Sequence, residues 1–531
     1  MNFVQPEYAF RPTPDMAARP PARHPVVVIG AGPVGLALAI DLAQRGTRVV
    51  LLDEDRTVSV GSRGLCYAKR TLEIFDRLEC AAPMLDKGVT WQVGKVFFGE
   101  GQVYSFDLLP EGGHRFPAFI NLQQYWLEKF LVDRAQAAAA LDLRWKSRVT
   151  AVEPRGDHVA LTVETPQGSY AIDADWVVAC DGARSPTRKA LGLDFRGRVF
   201  EDRFLIADVR MKADFPPERW FWFEPPFHAG GSTLLHKQPD DLWRIDFQLG
   251  WNADPEAEKD PERVRSRVRA MLGPDAPFEL EWVSVYTFQC RRLERFRHGR
   301  VLFAGDAAHQ VSPFGARGAN SGVQDADNLA WKLALVVDGL APERLLDSYD
   351  SERTEAADEN ILNSTRATDF ITPKNAASRV FRDATLELAR EHAFARRLVN
   401  SGRLSVPTKH AASPLSSPDA DTFAGGVAPG APALDAPDGA GWLLGRLKHG
   451  FSLLLFGSPD AAAFDTLSRW PVPVRASAVP ASAELAWKRY DARPGTAYLF
   501  RPDQHVCWRG RALDLAAIES ALARALGRET A

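Results

Sequence analysis

An α/β fold whose parallel sheet is interrupted by a second, mixed sheet is predicted by three features of this chain. Three short glycine-bearing segments, Gly30-Ala31-Gly32-Pro33-Val34-Gly35, Asp181-Gly182-Ala183-Arg184-Ser185-Pro186 and Gly305-Asp306-Ala307-Ala308-His309, each follow an apolar run of the kind that forms a buried parallel strand. The first also opens a helical pattern, which makes it the start of a Rossmann-like βαβ unit. Between the second and third segments the composition turns aromatic and β-rich, so the first sheet is expected to be completed only after an insertion.

The elements follow from local patterning. Residues 25–29 read as a short buried strand, 33–44 as a helix ended by Gly46, and 48–53 as the next strand. Asp53 closes that strand where an acidic side chain accepts hydrogen bonds from a ribose, with Glu54 as its neighbouring competitor. Helices are expected over about 69–78 and 124–139. A hairpin over 143–163 turns at Pro154-Arg155-Gly156-Asp157 and leads to the buried strand 176–179. Strands are expected at 219–223 and 242–247, then a return to the parallel sheet at 301–304 with a helix over 321–337 behind it. Beyond about residue 405 Pro, Ala, Ser and Gly mark a loosely held linker. A final unit then has strands at 451–456 and 472–476, a helix over 461–468, a hairpin over 497–509 and a helix over 513–526. That βαβ-ββα tail is compatible with a small thioredoxin-like domain.

Bulk composition excludes several function classes. A net charge of −3, from 65 basic and 68 acidic residues, gives no pull toward nucleic acid or an anionic membrane, which leaves small molecules as partners. Cys66, Cys80, Cys180, Cys290 and Cys507 are isolated, with no CxxC pair, so neither a metal site nor a disulfide framework is implied and a reducing cytoplasm fits. Residues 1–24 lack the apolar core of a signal peptide, and no run of 18 or more apolar residues occurs, so a soluble, cytoplasmic protein without a membrane span is expected.

The first glycine segment suits a pyrophosphate, because close backbone approach requires glycine and a helix N-terminus supplies partial positive charge. Gly30, Gly32, Pro33, Val34 and Gly35 are therefore cofactor-binding candidates. Together the three segments resemble those of the class A flavoprotein monooxygenases, the family of para-hydroxybenzoate hydroxylase, phenol hydroxylase and 3-(3-hydroxyphenyl)propionate hydroxylase, over about residues 25–370. The resemblance implies a glutathione-reductase-type FAD domain. In it Asp181 and its neighbours touch flavin and nicotinamide nucleotide, and Gly305 and Asp306 bind the ribityl hydroxyls, for which a carboxylate is a suitable double acceptor. Pro313-Phe314-Gly315-Ala316-Arg317-Gly318-Ala319-Asn320 resembles the loop beside the isoalloxazine, with Pro313 on the reactive face and the amides of Gly318, Ala319 and Asn320 at the pyrimidine end. This chain departs from the family at Ser312, where a second proline is common, and at Ala316-Arg317, where Gly-Gln is common. Arg63 matches an arginine near the ribityl chain or phosphates, and Gln124 a glutamine that contacts the cofactor.

The resemblance further implies an aromatic hydroxylase that uses FAD, O2 and NADH or NADPH, oxygenating a small phenolic substrate through a flavin C4a-hydroperoxide. A flavin oxidase or halogenase on the same scaffold, and a non-catalytic flavin-binding sensor, are the alternatives. His236 and Tyr286 are acid–base candidates by their place in the aromatic insertion, and the run Arg291, Arg292, Arg295, Arg297 and Arg300 is either a phosphate guide or a solvated face. The expected division is a 1–24 extension, a discontinuous FAD domain over 25–192 and 287–400 that takes in part of the substrate region near 90–120, a substrate domain over 193–286, a linker over 401–430 and a thioredoxin-like domain over 431–531. Without a CxxC pair that last domain is expected to serve packing or dimerisation, which admits a homodimer.

Overall fold

Val26, Val27 and Val28 are fully buried because the strand Ala22–Ile29 runs through the middle of a parallel sheet with helices on both sides. The computed structural model describes residues 3–528 apart from 62, 400–403 and 440. Its parallel strands lie in the order Val301–Phe303, Gly168–Ala179, Ala22–Ile29, Val49–Leu52, Leu141–Arg144. Gly168–Ala179 outruns its parallel partners and pairs antiparallel with Val159–Thr165, which pairs with Arg148–Pro154. The expected hairpin is thus made by those two strands, while Leu141–Arg144 joins the parallel sheet beside Val49–Leu52. The helix Pro33–Gln44 packs closely on the helix Gly318–Val337. A Cβ at Gly322 would stand 2.6 Å from Val34 Cγ2, and one at Gly305 2.8 Å from it.

The mixed sheet runs His309–Gln310, Glu279–Leu293, Phe195–Arg210, Leu242–Leu249, Ser232–Lys237, Arg219–Phe223, Val93–Phe98, Gly101–Asp107. Only Arg219–Phe223 with Val93–Phe98 is a parallel pair. The helix Pro261–Leu272 covers one face, its Val264 and Val268 packed with Leu205, Trp243, Ile245 and Phe247. The helix Ala376–Glu391 places Leu386 and Ala389 among Val96, Val103, Phe221 and Phe223. It therefore packs on the mixed sheet, although the expected division put 287–400 with the parallel one, and Glu279–Leu293 continues through the expected boundary at 286.

The C-terminal unit is a four-stranded sheet in the order Val474–Val479, Phe451–Phe456, Ala497–Phe500, Val506–Gly510, its first pair parallel and the others antiparallel. Helices Ala461–Ser468, Glu484–Arg489 and Leu515–Ala525 complete it, the middle one being absent from the sequence reading. The stretch from 404 to 436 is irregular, as its composition predicts, yet it is held firmly rather than loosely. Leu404, Leu415, Val427 and Ala436 are buried, Arg509 Nε donates to Asp419 Oδ1 at 2.8 Å, and the Ser413 hydroxyl donates to Glu352. Glu352, on the long helix Asp347–Ile371, also accepts from Lys332 Nζ at 2.7 Å and from Arg501 Nη1 at 2.5 Å. Burial opposes its charge, but Arg501 and Lys332 hold the Glu352 carboxyl well below the usual range. This buried network ties the C-terminal unit to the helices behind the parallel sheet.

Candidate functional site

Each glycine of the first segment has a separate reason to be glycine. Gly30 has φ +100°, and a Cβ there would stand 2.6 Å from the Cys180 carbonyl oxygen; a Cβ at Gly35 would stand 1.9 Å from the Gly30 oxygen. A Cβ at Gly32 would meet nothing within 4 Å, so this residue leaves room in front of the helix N-terminus for something other than protein. Asp53 reaches back to the same turn. Its Oδ2 accepts from the Ala31 N–H at 2.5 Å and its Oδ1 from the Asp55 N–H at 2.8 Å. Desolvation nonetheless pushes its pKa up to about 6, those two donors opposing it. Glu54 is exposed and stands 3.8 Å from Arg148, pointing away from the turn that Asp53 serves.

In the second segment Asp181 Oδ2 accepts from the Thr187 N–H at 2.9 Å, while Oδ1 is buried with no partner among the described residues. A buried carboxylate oxygen left unbonded is costly, so it is poised for a donor from a bound group. The Ala183 carbonyl accepts from Arg188 Nη2 and from Gln310 Nε2, each at 2.9 Å, and so couples the second segment to the third.

From Val301 to Gly315 every residue is buried except Asp306 and Pro313. The frame that presents them was not read from the sequence. Asp325, on the helix Gly318–Val337, accepts from the Gly305 N–H at 2.9 Å, lies 2.6 Å from His309 Nε2 and accepts from Arg353 Nε at 2.6 Å. Burial would raise its pKa, but His309, Arg353 and the Gly305 amide hold it below the usual carboxylate range. Its signal in the sequence is weak, because Ser321, Asn328 and Lys332 share its side of the helix. The loop itself is anchored by Phe314, whose ring centroid lies 4.8 Å from that of Phe204 and 5.0 Å from that of Phe288. Ala316, where glycine is common in relatives, takes the left-handed conformation at φ 50° and ψ 41°. Arg317 turns inward to Asn360 Oδ1 at 3.0 Å and the Leu404 carbonyl at 3.2 Å.

Three expected contacts change character. The Asn320 amide is engaged by the chain itself, Oδ1 accepting from the Ala68 N–H and Thr71 Oγ1, and Nδ2 donating to the carbonyls of Cys66 and Ala316. What remains for a ligand is its backbone N–H, with those of Gly318 and Ala319, at a helix start that has no side-chain cap. Gln124 likewise accepts from the Gly64 N–H at 2.8 Å and donates to Glu128 at 2.8 Å, and Glu128 accepts from the Ser59 N–H at 2.6 Å. It therefore positions the loop that carries the exposed Arg63. Of the arginine run, Arg292, Arg297 and Arg300 are ion-paired with Asp358, Asp347 and Glu343, as a solvated charged face would be.

The face of the mixed sheet away from Pro261–Leu272 carries three rows of register partners. One runs Phe223, Ser232, then Gln248, Phe204, Tyr286; the next Phe221, Leu234, Asp246, Ile206, Ser284; the third His236, Arg244, Asp208, Trp282, with Arg219 at its end. Arg244 is paired with Asp208 at 3.0 Å. Arg219 is 2% exposed, donates to the Phe314 carbonyl at 3.0 Å, and its Nε has no partner among the described residues. His236 is 3% exposed, and burial together with Arg219 and Arg244 pushes its pKa well below the ordinary value, which leaves it a weak base. Tyr286 is 45% exposed, and desolvation with the Asp306 charge pushes it up to about 12, so it stays protonated. The group that sequence reasoning missed is Asp246. Burial pushes its pKa up to about 7 against the pull of Arg244 and Arg219, and its Oδ1 has no partner among the described residues.

A family model described as FAD binding domain matches residues 23–364, and another, described as aromatic-ring hydroxylase, C-terminal, matches 421–529. With the three glycine segments these define a flavoprotein. The chain is 31% identical over 509 residues to the 12-dehydrotetracycline 5-monooxygenase/anhydrotetracycline 6-monooxygenase of Streptomyces rimosus subsp. rimosus, covering 92% of this chain and 95% of the relative. The solved OxyS anhydrotetracycline hydroxylase from Streptomyces rimosus matches with a TM-score of 0.73 at 28% identity, over 96% of this chain and 100% of that one. The flavin-dependent monooxygenase PieE, solved with FAD and substrate, shares the fold with a TM-score of 0.81 at 22% identity, over 96% and 99% of the two chains. The chain belongs to the class A FAD-dependent aromatic monooxygenases. Among the described residues no helix is long and apolar enough to cross a membrane.

Proposed function

We propose that this flavoenzyme hydroxylates a phenolic ring bound between the mixed sheet and a FAD held across the three glycine segments. The observation that carries the reading is the exposure of Asp306 and Pro313 alone within 301–315, which leaves one carboxylate and one apolar ring edge free on an otherwise closed surface. In this reading Gly32 and the N-terminus of Pro33–Gln44 receive the pyrophosphate. Asp53 takes a ribose, since each of its oxygens keeps a lone pair after accepting one N–H. Asp306 binds the ribityl hydroxyls, Asp181 Oδ1 accepts from the cofactor or the nicotinamide nucleotide, and Arg63 lies toward the phosphates. Pro313 lies against the ring system, and the N–H groups of Gly318, Ala319 and Asn320 stabilise negative charge at its pyrimidine end.

When bound, FAD takes a hydride from NADH or NADPH and activates O2 for transfer of one oxygen atom to the aromatic ring. The chain's own residues place the ring and exclude water, for which the apolar row of Phe221, Leu234 and Ile206 is suited. A phenol is the substrate class because a hydroxyl that gives up its proton pushes electron density into the ortho and para carbons. We read the C-terminal unit as thioredoxin-like in strand order and structural in role, since its Cys507 stands alone and buried.

The test is direct. Purified protein is expected to be yellow, and a phenol is expected to accelerate NADH or NADPH oxidation with formation of a hydroxylated product. NADH or NADPH oxidation that converts no phenol of a substrate panel into oxygenated product defeats the reading.

A further inference from the structure

Asp246 stands in the middle of the face of the mixed sheet that points away from Pro261–Leu272, in a row otherwise made of Phe221, Leu234, Ile206 and Ser284. An acid in such a row has no reason of stability to be there, because desolvation disfavours its charge and its Oδ1 is buried with no hydrogen-bond partner among the described residues. The charges facing it come from four other elements and its own strand. Arg244 is two residues away and already balanced by Asp208 on the strand Phe195–Arg210. Arg219 on Arg219–Phe223 has no carboxylate partner among the described residues, and its Nε is also unbonded. His236 on Ser232–Lys237 is neutral, and the Cys66 thiol on Cys66–Ala68 is pushed up by burial and stays protonated. Among the described residues the face thus presents one unpartnered carboxylate oxygen, Asp246 Oδ1, and one unpartnered guanidinium nitrogen, Arg219 Nε, on side chains that form no ion pair with each other. Arg219 is tied to the loop of Pro313 and Phe314 through the Phe314 carbonyl.

We propose that Asp246 accepts the proton of the substrate's aromatic hydroxyl, and that the oxyanion left behind is stabilised by the Arg219 guanidinium. The inference rests on the phenol reading above and deepens it. The step balances: the O–H bond of ArOH breaks, a proton joins an Asp246 carboxylate oxygen, and the electron pair stays on the aryl oxygen as ArO⁻. The negative charge moves from Asp246 to the substrate while the total charge of the pocket is unchanged, so no extra ion has to be buried. A carboxyl raised toward neutrality is suited to this exchange, since its affinity for a proton lies close to that of an acidic phenol. The same burial keeps Tyr286 and Cys66 protonated, which leaves Asp246 as the acceptor.

The test uses the FAD-loaded full chain and two phenols whose ionised forms are distinct by eye of the spectrometer, 4-nitrophenol by absorbance and 7-hydroxycoumarin by fluorescence excitation. On the wild type, a bound probe is expected to ionise roughly tenfold more readily than in free solution, a shift of about one pKa unit. Asp246→Asn is expected to bind the probe within about threefold of wild type and abolish that shift, with turnover at neutral pH lowered on the order of a hundredfold. Asp246→Glu restores part of it, and Arg219→Met keeps FAD while moving the ionisation of the bound probe upward. An unchanged ionised fraction in Asp246→Asn that retains FAD and binds the probe overturns the assignment of Asp246. Failure of both probes to bind the FAD-loaded wild type overturns the phenol reading, and the proposal with it.

Discussion

At the scale of single residues the chain sets two carboxylates in contrast. Asp306 was legible because its Gly-Asp segment resembles one common to the family, and the structure leaves it exposed within a buried stretch. Replacing it with Ala is expected to weaken FAD retention roughly tenfold or more, seen as colour lost on gel filtration; unchanged occupancy would count against the ribityl role. Asp246 was not legible, because an acid alternating with apolar residues in a strand reads as the solvent side. Only the register of five strands shows that it shares a row with Phe221, Leu234, Ile206 and Ser284. Its raised pKa also has a stability consequence with a definite sign. In the unfolded chain an aspartate loses its proton near pH 4, in the folded protein near 7, so the folded state binds the extra proton between those values and stability falls as pH rises through that window. Asp246→Asn is therefore expected to match wild type near pH 4 and to exceed it at pH 8 by on the order of 2–4 kcal/mol in urea denaturation. A variant less stable than wild type at both pH values contradicts this.

At the scale of elements, the helix Gly318–Val337 does more than pack behind the sheet. Asp325 fixes the Gly305 turn from below and holds His309 and Arg353, so the carboxylate of Asp306 is set by a side chain it does not touch. Asp325→Ala leaves the Arg353 guanidinium buried without its partner and is expected to cost about 3–5 kcal/mol in equilibrium unfolding. The double variant Asp325→Ala, Arg353→Met is expected to recover part of that loss. Ala316 is a milder case: its left-handed conformation suits glycine, and Ala316→Gly is expected to stabilise by about 0.5–1 kcal/mol after the extra freedom of the unfolded chain is counted. The helix Pro33–Gln44 and the strands around it were legible from their apolar runs and glycine stops. The long helix Asp347–Ile371 was not, because its polar composition hides the face that carries Glu352, Arg353 and Asn360 into the interior. Irregular segments such as 404–436 mislead for the converse reason, since burial by side-chain anchors leaves no periodic pattern to read.

At the scale of the whole molecule, the C-terminal unit is locked on by the cluster of Glu352, Lys332, Arg501 and Asp503. Glu352→Gln is expected to cost about 3–5 kcal/mol and to open the 404–436 stretch to limited proteolysis, while the parallel sheet stays resistant. Cleavage unchanged from wild type would show that apolar contacts alone hold the unit. The glycine segments made the parallel sheet and its interruption readable, and the region near 90–120 was expected to share in the substrate region, whereas the packing of Ala376–Glu391 on the mixed sheet depends on contacts far apart in sequence. One crossing has a further consequence. Phe195, where the chain leaves for the mixed sheet, is the register partner of Leu293, where it comes back. The ends of the excursion are therefore side by side, and its length adds little closure entropy to the parallel sheet. The mixed sheet is in effect a cassette on a two-pronged stem, open to exchange for the matching stretch of a relative provided that the pairing of Arg219–Phe223 with Val93–Phe98 is kept.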